Sequence, residues 1–184
     1  FSTGDEILSL GEAPREGAVY DSNRYTVFGL LSRLGCQIID LGVVRDEPAL
    51  LQAAFTRAAQ QADAVITSGG VSVGEADYTK AMMKQLGDVA FWRIAMRPGR
   101  PMAVGRMHTA SPACSAASAD GASAASAGQP QGALLFGLPG NPVAVMVTFL
   151  AFVRPALLQM MGASSQSQPL LRARSLEAIR KKAG

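Results

Sequence analysis

Strand-like apolar runs alternate with helical patterns along most of the chain, and this alternation limits the folds that it can adopt. Residues 36–44 and 62–70 are apolar runs typical of buried strands, and each is followed or preceded by a helical pattern. Residues 133–152 repeat the arrangement, because a strand leads through a glycine and proline loop into an apolar helix. The sequence therefore predicts an α/β fold with βαβ units, in which helices cover both faces of a mostly parallel sheet.

Capping residues mark where the predicted helices begin. The first helix occupies residues 21–35, where apolar residues recur at positions 25, 28, 31 and 34 and Gly35 stands where a closing glycine belongs. Two later helices have Pro48 and Pro142 in their first turn, where the missing N–H costs no hydrogen bond. The predicted N-caps are, in chain order, Asp21 or Ser22, Asp46, Asp77 ahead of a helix over 78–86, and Asn141.

The later part of the chain departs from this alternation. Residues 89–107 form two strand-like runs about an "RPGRP" turn. Residues 109–132 are rich in Ala and Ser and have no periodic apolar face, so we expect a disordered insertion. A polar break at 162–169 precedes a basic tail. The sequence thus predicts an α/β domain over 1–162, and a linker with the beginning of another domain over 163–184.

Charge, cysteines and the lengths of apolar runs argue against several classes of protein. The formal net charge of +3, from 17 basic and 14 acidic residues, is too small to indicate nucleic acid binding. The longest apolar run, 143–153, is shorter than the ~18 residues that a membrane-spanning helix needs. Cys36 and Cys114 are predicted to be free thiols of a reducing compartment. We expect a cytoplasmic protein without nucleic acid or membrane partners, and, because "FSTGDE" opens the chain without Met, a piece of a longer protein.

Four loops that follow predicted strands contain the residues suited to ligand binding. In open parallel sheets, ligands bind outside the carboxyl ends of the strands, where loops and positive helix N-termini converge. The loops are "STGDE" at 2–6, "VVRDEP" at 43–48, "TSGGVSVGEAD" at 67–77 and "GLPGNP" at 137–142. Their glycines offer backbone N–H groups to anions, and their carboxylates are Asp5, Glu6, Asp46, Glu47, Glu75 and Asp77. This combination favours phosphate together with a hard divalent cation, Mg²⁺.

Simpler interpretations of the same residues stay open. Asp46 and Asp77 are also suited to capping helices, Glu6 to the surface, and the loop glycines to tight turns. Arg93 and Arg97 are evenly spaced, which predicts that they share one face of a strand, and they suit either bidentate phosphate binding or a solvated face. The sequence has no P-loop motif, and one histidine, His108, allows neither a zinc constellation nor a Ser/His/Asp triad.

Six segments resemble the molybdopterin molybdenumtransferases, the MoeA and gephyrin E-domain family of molybdenum cofactor biosynthesis. They lie in the family's order between residue 1 and about 150: "FSTGDE", "YDSNR", "LGVVRDEP", "TSGGVSVGEADYTK", "RPGRPMAVG" and "GLPGNPVAV". The resemblance implies a three-layer α/β/α molybdopterin-binding domain of the MoaB/Mog-like type, followed by the start of a small β-rich C-terminal domain. It also implies a Mg²⁺-dependent transferase that converts adenylylated molybdopterin and molybdate into molybdenum cofactor and AMP.

The resemblance also assigns roles to single positions. Glu6, Asp46 and Asp77 match acidic positions of the family's active site, with the divalent ion held between Glu6 and Asp77. Pro139 and Pro142 match the prolines of the family's "GLPGNP" loop. We assign these five residues to the catalytic site, and Glu6 and Asp77 to the metal site.

Substrate contacts are expected from the same loops and from two arginines. The loop 68–74 matches the family's region for the pterin phosphate and the nucleotide. Arg93 and Arg97 stand where many members of the family have lysine. The positions expected to bind substrate are Thr3, Gly4, Ser68, Gly69, Gly70, Ser72, Gly74, Arg93, Arg97, Gly137, Gly140 and Asn141.

Two other functions stay open at this point. A molybdopterin adenylyltransferase has a related fold, although the "STGDE" and "GEADYTK" segments argue against it. A pterin-binding or scaffold module without catalysis is the other alternative, because gephyrin's E domain also anchors receptors. The family's active site is shared across a homodimer that uses its N-terminal domains. The resemblance therefore implies a homodimer for the full-length protein, a molybdopterin adenylyltransferase as a partner, and an inactive isolated fragment.

Overall fold

The structure, a computed structural model, describes residues 1–71, 77–108, 132–164 and 171–178, without the side chains of residues 77 and 78. The strands of this part of the chain are β1 (Ser2–Thr3), β2 (Ile7–Leu8), β3 (Val19–Tyr20), β4 (Val43–Val44), β5 (Ala64–Ser68), β6 (Gly87–Arg93), β7 (Pro101–Met107) and β8 (Ala133–Leu138). The helices are α1 (Asn23–Arg33), α2 (Pro48–Gln61), α3 (Asp77–Leu86), α4 (Pro142–Thr148) and α5 (Arg154–Met160), and a π-helical turn, Phe149–Val153, joins α4 to α5.

Six strands form one sheet in the order β4-β1-β5-β8-β7-β6, and β2 pairs with β3 outside it. The first four strands of this order are parallel, while β7 runs antiparallel to β8 and to β6. Because two antiparallel steps restore the direction, β6 ends at the same edge of the sheet as β8. We call this the carboxyl edge, where β4, β1, β5, β8 and β6 end. The mostly parallel sheet that the sequence predicts is confirmed.

Helices pack on both faces of this sheet. On one face, Leu51 and Phe55 of α2 and Met83 of α3 are fully buried, together with Leu135 of β8. On the other face, Phe136 of β8 faces a second core. The helical residues of that second core are Val27, Val145, Phe149, Val153 and Leu157. Because strand side chains alternate between the two faces, one sheet supports both cores, and the predicted three-layer α/β/α architecture is confirmed.

The first helix is confirmed, but a different stripe of its surface is buried. Val27 is buried, and Leu31 and Leu34 pack beside it in the second core, at the i, i+4 and i+7 positions of one helix face. Tyr25 and Phe28, which the sequence predicts on the apolar face, are 42% and 46% exposed. The helix face that packs against the sheet is therefore the one with Val27, Leu31 and Leu34, and the two aromatic side chains lie beside it toward solvent.

Asp21 and Gly35 close the two ends of α1. The Asp21 carboxylate accepts a hydrogen bond from the backbone N–H of Arg24 at 3.0 Å, whereas Ser22, at the N-cap position, makes no side-chain capping bond. Of the two predicted caps, Asp21 therefore supplies the bond. Gly35 has φ +76°, the left-handed conformation of a closing glycine, as the sequence predicts.

Two other predicted caps are displaced by one residue. Pro48 is the first residue of α2, and a residue before proline is disfavoured in the helical region. Glu47 accordingly occupies the N-cap position in an extended conformation, with φ −96° and ψ 126°, and the prediction of Asp46 as N-cap is wrong. Asp77 is likewise the first residue of α3 rather than the residue before it.

The strand β4 is shorter than the sequence predicts. Only Val43 and Val44 of the predicted run 36–44 pair with β1, because β1 offers two partners, Ser2 and Thr3. Before them, Gly42 turns the chain with φ +76°. Only the carboxyl end of the predicted strand therefore belongs to the sheet, and residues 36–42 lie outside it.

The predicted hairpin is confirmed, but its second arginine lies outside the strand. β6 pairs antiparallel with β7 and ends at Arg93. The chain then turns, and the N–H of Ile94 donates to the carbonyl of Arg100 at 2.8 Å across the turn. Arg97 lies in this turn next to Pro98, so the prediction that Arg93 and Arg97 share one face of a strand is wrong.

The helical run Pro142–Met160 is 19 residues long with a mean hydropathy of 1.8, enough by length and composition alone to cross a membrane. Its residues Val145, Phe149 and Val153 are buried in the second core, and 33% of its most apolar window is buried in all. The predicted insertion 109–132 lies outside the described residues except for Gly132, as do 165–170 and 179–184 of the predicted tail.

Candidate functional site

The four loops singled out in the sequence leave four neighbouring strands. Since β4, β1, β5 and β8 are adjacent and parallel, the described parts of all four loops lie at the carboxyl edge. The helices α2, α3 and α4 begin where three of these loops end. The positive ends of three helix dipoles therefore face the same edge. The predicted convergence of the loops is confirmed.

The ends of β1 and β5 approach each other at Thr3 and Gly69. Gly69 has φ +91°, and a Cβ on it would overlap the carbonyl oxygen of Thr3. The next residue, Gly70, has φ +66°, and a Cβ there would stand 2.5 Å from Cγ2 of Thr79 in α3. Both positions therefore require glycine, and the backbone of this loop passes directly over β1 and α3.

Asn141 connects β8 to α4 as the predicted N-cap. Its side-chain oxygen accepts hydrogen bonds from the backbone N–H groups of Val143 at 3.1 Å and Ala144 at 3.2 Å. Pro142 is the first residue of α4, as predicted, and Pro139 is buried beneath the loop. The "GLPGNP" loop is thus fixed at both of its ends.

Asn23, which the sequence reasoning did not select, ties two of these loops together. It is the first residue of α1 and is 7% exposed. Its side-chain nitrogen donates to Oγ of Ser68 and to the carbonyl of Gly140, both at 2.7 Å. These partners lie 45 and 117 residues further along the chain. The one feature of the sequence that could have indicated this role is that Asn23 carries a side-chain amide at the start of a helix, in "YDSNR".

Several buried hydroxyl groups lie on β1, β5 and α3. Among the described residues, no hydrogen-bond partner is found for the hydroxyls of Ser2, Thr3, Thr67 and Thr79, or for Oδ1 of Asn23. A buried polar atom without a partner costs about 1–3 kcal/mol. Such atoms concentrated at the ends of β1 and β5 are suited to receive the polar groups of a ligand or ordered water.

The predicted carboxylates occupy different positions along the edge. The exposed Glu6 carboxylate folds back over Gly4, where a Cβ would stand 2.6 Å from its Oε2. The Asp5 carboxylate accepts a hydrogen bond from the backbone N–H of Asp46 at 3.3 Å, which links the loops after β1 and β4. Asp77 opens α3. In the part of the chain that the structure describes, no three His, Cys, Asp or Glu side chains form a group able to hold a metal ion.

Glu75, Ser72 and Gly74 lie outside the described residues, as does the side chain of Asp77. Their predicted roles therefore stay predictions. Glu47 is exposed at the start of α2.

The two arginines lie at the same edge, but two strands away from β8. Arg93 ends β6 and Arg97 lies in the turn that follows it, and both are exposed. Gly99 of this turn packs on α4, since a Cβ there would stand 2.7 Å from Cγ2 of Thr148. The turn therefore contacts α4 at its last residue, Thr148.

Gly137 has a different environment from the loop glycines. It lies within β8, and a Cβ on it would stand 2.8 Å from Val71 and 2.9 Å from Ala103. The structure gives Gly137 a role in packing the core, which corrects its predicted assignment to the loop. Gly140, by contrast, is exposed and has open space around it.

An ion-pair network holds the start of α1 next to Asn23. Arg24 lies with Nε 3.1 Å from Oδ2 of Asp21 and with Nη1 2.7 Å from Oδ2 of Asp40. Burial lowers the pKa of the Arg24 guanidinium, but the hydrogen bond to Asp21 and the charge of Asp40 outweigh it, so the pKa is raised overall. Arg24 is therefore a permanent cation beside the site.

A cavity of about 660 Å³ lies on the α1 and α5 side of the sheet. Ser2 and Ser68 border it, but most of its lining comes from α1, α5 and the chain between 35 and 40. None of Gly4, Gly69 and Gly140 lines it. We place the ligand site at the carboxyl edge, where the exposed Gly140 and the helix N-termini are, and not in this cavity.

Comparison with known proteins relates this chain to molybdopterin proteins. A family model described as a probable molybdopterin binding domain matches residues 1–159. The chain is 42% identical over 169 residues to a molybdopterin molybdenumtransferase of Haemophilus influenzae, which covers 92% of the chain and 36% of that protein. It is 30% identical over 174 residues to gephyrin of Dictyostelium discoideum, which covers 88% of the chain and 23% of that protein. The chain thus spans about a third or less of these curated relatives.

Solved structures agree with the fold. A molybdopterin biosynthesis moea protein from Pyrococcus horikosii is similar over 88% of the chain and 34% of its own, with a TM-score of 0.67 and 30% identity. A molybdenum cofactor biosynthesis protein B is similar over 88% of the chain and 93% of its own, with a TM-score of 0.54 and 15% identity, a likeness of fold alone. With a family model matched over 159 of its 184 residues, the chain belongs to the family of probable molybdopterin binding domains.

Proposed function

We propose that this chain is the molybdopterin-binding domain of a molybdopterin molybdenumtransferase, which inserts molybdate into adenylylated molybdopterin and releases AMP. The observation that carries the proposal is the convergence of four loops at the carboxyl edge, on neighbouring parallel strands. The curated relative with 42% identity bears the name of this activity. Because the chain spans 36% of that relative, the activity is proposed for the full-length protein.

The anionic parts of the substrate suit the loops after β5 and β8. Gly70, with φ +66°, follows β5, the exposed Gly140 has open space around it after β8, and α4 begins beside Gly140 with Asn141 and Pro142. Helix N-termini and glycine backbone together bind phosphate well. We propose that this region holds the phosphate and pyrophosphate oxygens, with the Thr3 and Ser68 hydroxyls as further donors.

We propose Mg²⁺ as the metal ion of this site. Mg²⁺ is usually bound through one or two carboxylates, water and substrate phosphates, so it needs no group of three protein ligands. The exposed Glu6 carboxylate at the end of β1 offers hard oxygen donors of this kind. We propose that Glu6 and Asp77 hold the ion, which when bound would neutralise the pyrophosphate as AMP leaves.

The other predicted residues have supporting roles in this proposal. Asp46, whose backbone N–H bonds Asp5, would keep the loops after β1 and β4 together. Pro139 and Pro142 would hold the loop after β8 in shape. Arg93 and Arg97 would attract the substrate's negative charge from the neighbouring turn, as exposed guanidinium groups do.

The organisation of the full-length protein is proposed on the same basis. Residues 1–162 would form the molybdopterin-binding domain, and 163–184 a linker and the beginning of a β-rich domain. We propose a homodimer in the cytoplasm that receives its substrate from a molybdopterin adenylyltransferase.

AMP release by the full-length protein tests the proposal. Adenylylated molybdopterin, molybdate and Mg²⁺ are mixed with the wild type and with Asp77→Ala, and AMP is quantified over time. We expect the Asp77→Ala rate to fall at least about tenfold, since a bound metal ion contributes several kcal/mol to catalysis. Asp63→Ala is the matched control, because Asp63 lies before β5, at the opposite edge, and it should keep the wild-type rate. Full activity of Asp77→Ala would exclude the metal role.

The same mixture separates the two alternatives. Consumption of ATP with free molybdopterin would indicate an adenylyltransferase. Binding of adenylylated molybdopterin without AMP release would indicate a binding or scaffold module.

A further inference from the structure

The contacts of Asn23 fix the orientation of its side-chain amide. A backbone carbonyl can only accept hydrogen bonds, so the atom that faces the Gly140 carbonyl at 2.7 Å is the amide nitrogen. The same nitrogen lies 2.7 Å from Oγ of Ser68. Both N–H bonds of the amide are therefore used, one toward each loop.

This orientation determines what Ser68 can offer. A hydroxyl has one hydrogen to donate and lone pairs that accept. Ser68 Oγ accepts from Asn23, and its own hydrogen has no acceptor among the described residues. The Ser68 hydroxyl is consequently left as a donor at the carboxyl edge, which suits an anionic oxygen.

The amide of Asn23 is not needed to begin α1. The N–H of Arg24 is bonded by the Asp21 carboxylate, and the two N–H bonds of Asn23 go to distant loops. Its Oδ1 is buried and has no hydrogen-bond partner in the described part of the chain. Such an acceptor is suited to a donor outside the described residues, such as one on a ligand or an ordered water.

We propose that Asn23 is a positioning residue of the ligand site. It holds the loops after β5 and β8 together, and by bonding a lone pair of Ser68 Oγ it leaves the Ser68 hydroxyl hydrogen for an anionic oxygen of the ligand. The inference rests on the proposed function, since it names a residue that acts on the same site through Ser68.

The experiment uses the full-length protein and measures the dissociation constant for adenylylated molybdopterin. Asn23→Asp keeps the size of the side chain but cannot donate while ionised, so it forces the Ser68 hydroxyl to donate back to it. We expect the dissociation constant to rise about tenfold, the effect of one lost hydrogen bond. Ser22→Ala is the matched control, because this exposed neighbour makes no side-chain capping bond, and it should leave the constant unchanged.

A double-mutant cycle separates positioning from a general loss of structure. If Asn23 acts partly through Ser68, Asn23→Asp should raise the dissociation constant by a smaller factor in a Ser68→Ala background than in the wild type, because only the contact with Gly140 is then left to lose. Additive effects of the two substitutions, or wild-type binding by Asn23→Asp, would overturn the inference.

Hydrogen exchange distinguishes failure of the inference from failure of the proposed function. In Asn23→Asp, amides at 68–71 and 140–144 should exchange faster together, and in Ser22→Ala they should not. This outcome requires no substrate, so it supports the contact between the loops even if the wild type releases no AMP. Unchanged exchange in both loops would overturn the inference even in an active enzyme.

Discussion

Gly69 passes so close to Thr3 that a single added carbon on Gly69 would overlap the Thr3 carbonyl oxygen. This contact joins the carboxyl ends of β1 and β5, where we propose that the substrate phosphates bind. It is also a packing requirement, which makes the geometry of the loop testable without any ligand.

Gly69→Ala should destabilise the protein more than Gly11→Ala does. The two glycines have nearly the same backbone angle, φ +91° and φ +93°, but a Cβ on Gly11 meets nothing within 4 Å. The left-handed conformation costs both variants about 1–2 kcal/mol. The clash with Thr3 should add at least about 1 kcal/mol for Gly69→Ala. Urea unfolding measures both free energies, and equal values would contradict the close approach.

Asp21→Ala should lower the free energy of unfolding by about 2 kcal/mol, because it removes a buried cap and the partner of Arg24. Asp21 is 4% exposed and bonds both the backbone N–H and the Nε of Arg24. Ser22→Ala, at the formal N-cap, should change it by less than about 0.5 kcal/mol. Chemical unfolding of both variants checks this, and a larger loss for Ser22→Ala would assign the cap to Ser22.

Phe149→Ala should cost about 3–5 kcal/mol, since truncation of a buried aromatic residue leaves a cavity. Phe149 is 1% exposed in the second core. Phe28→Ala removes the same side chain from α1, where it is 46% exposed, and should cost much less. Thermal and urea unfolding compare the two variants, and similar losses would mean that Phe28 is buried in solution.

Local chemistry explains why much of the fold could be predicted. Asn141 and Pro142 specify the start of α4 through a side-chain bond and a fixed φ, and Gly35 specifies the end of α1. The alternation of apolar runs with helical patterns was enough to predict β5, β8 and the helices packed against them. Because those strands were predicted to be parallel, the loops that follow them were predicted to lie at one edge of the sheet.

Other features depend on contacts between distant parts of the chain. The partner of Asn23 at Gly140 is 117 residues away, and no local pattern encodes that distance. The even spacing of Arg93 and Arg97 was misleading, because the turn between β6 and β7 begins before Arg97. Gly137 looked like its loop neighbours in the sequence, yet its environment in β8 is the core.

The most direct test of the account is the affinity of the full-length protein for adenylylated molybdopterin when each edge of the sheet is altered. Ser68→Ala changes the carboxyl edge, and Asp88→Ala changes an exposed side chain at the start of β6, at the opposite edge. If the ligand binds at the carboxyl edge, the dissociation constant should rise about tenfold for Ser68→Ala, the effect of one hydrogen bond, and stay unchanged for Asp88→Ala. Wild-type affinity in Ser68→Ala together with weakened binding in Asp88→Ala would contradict the account.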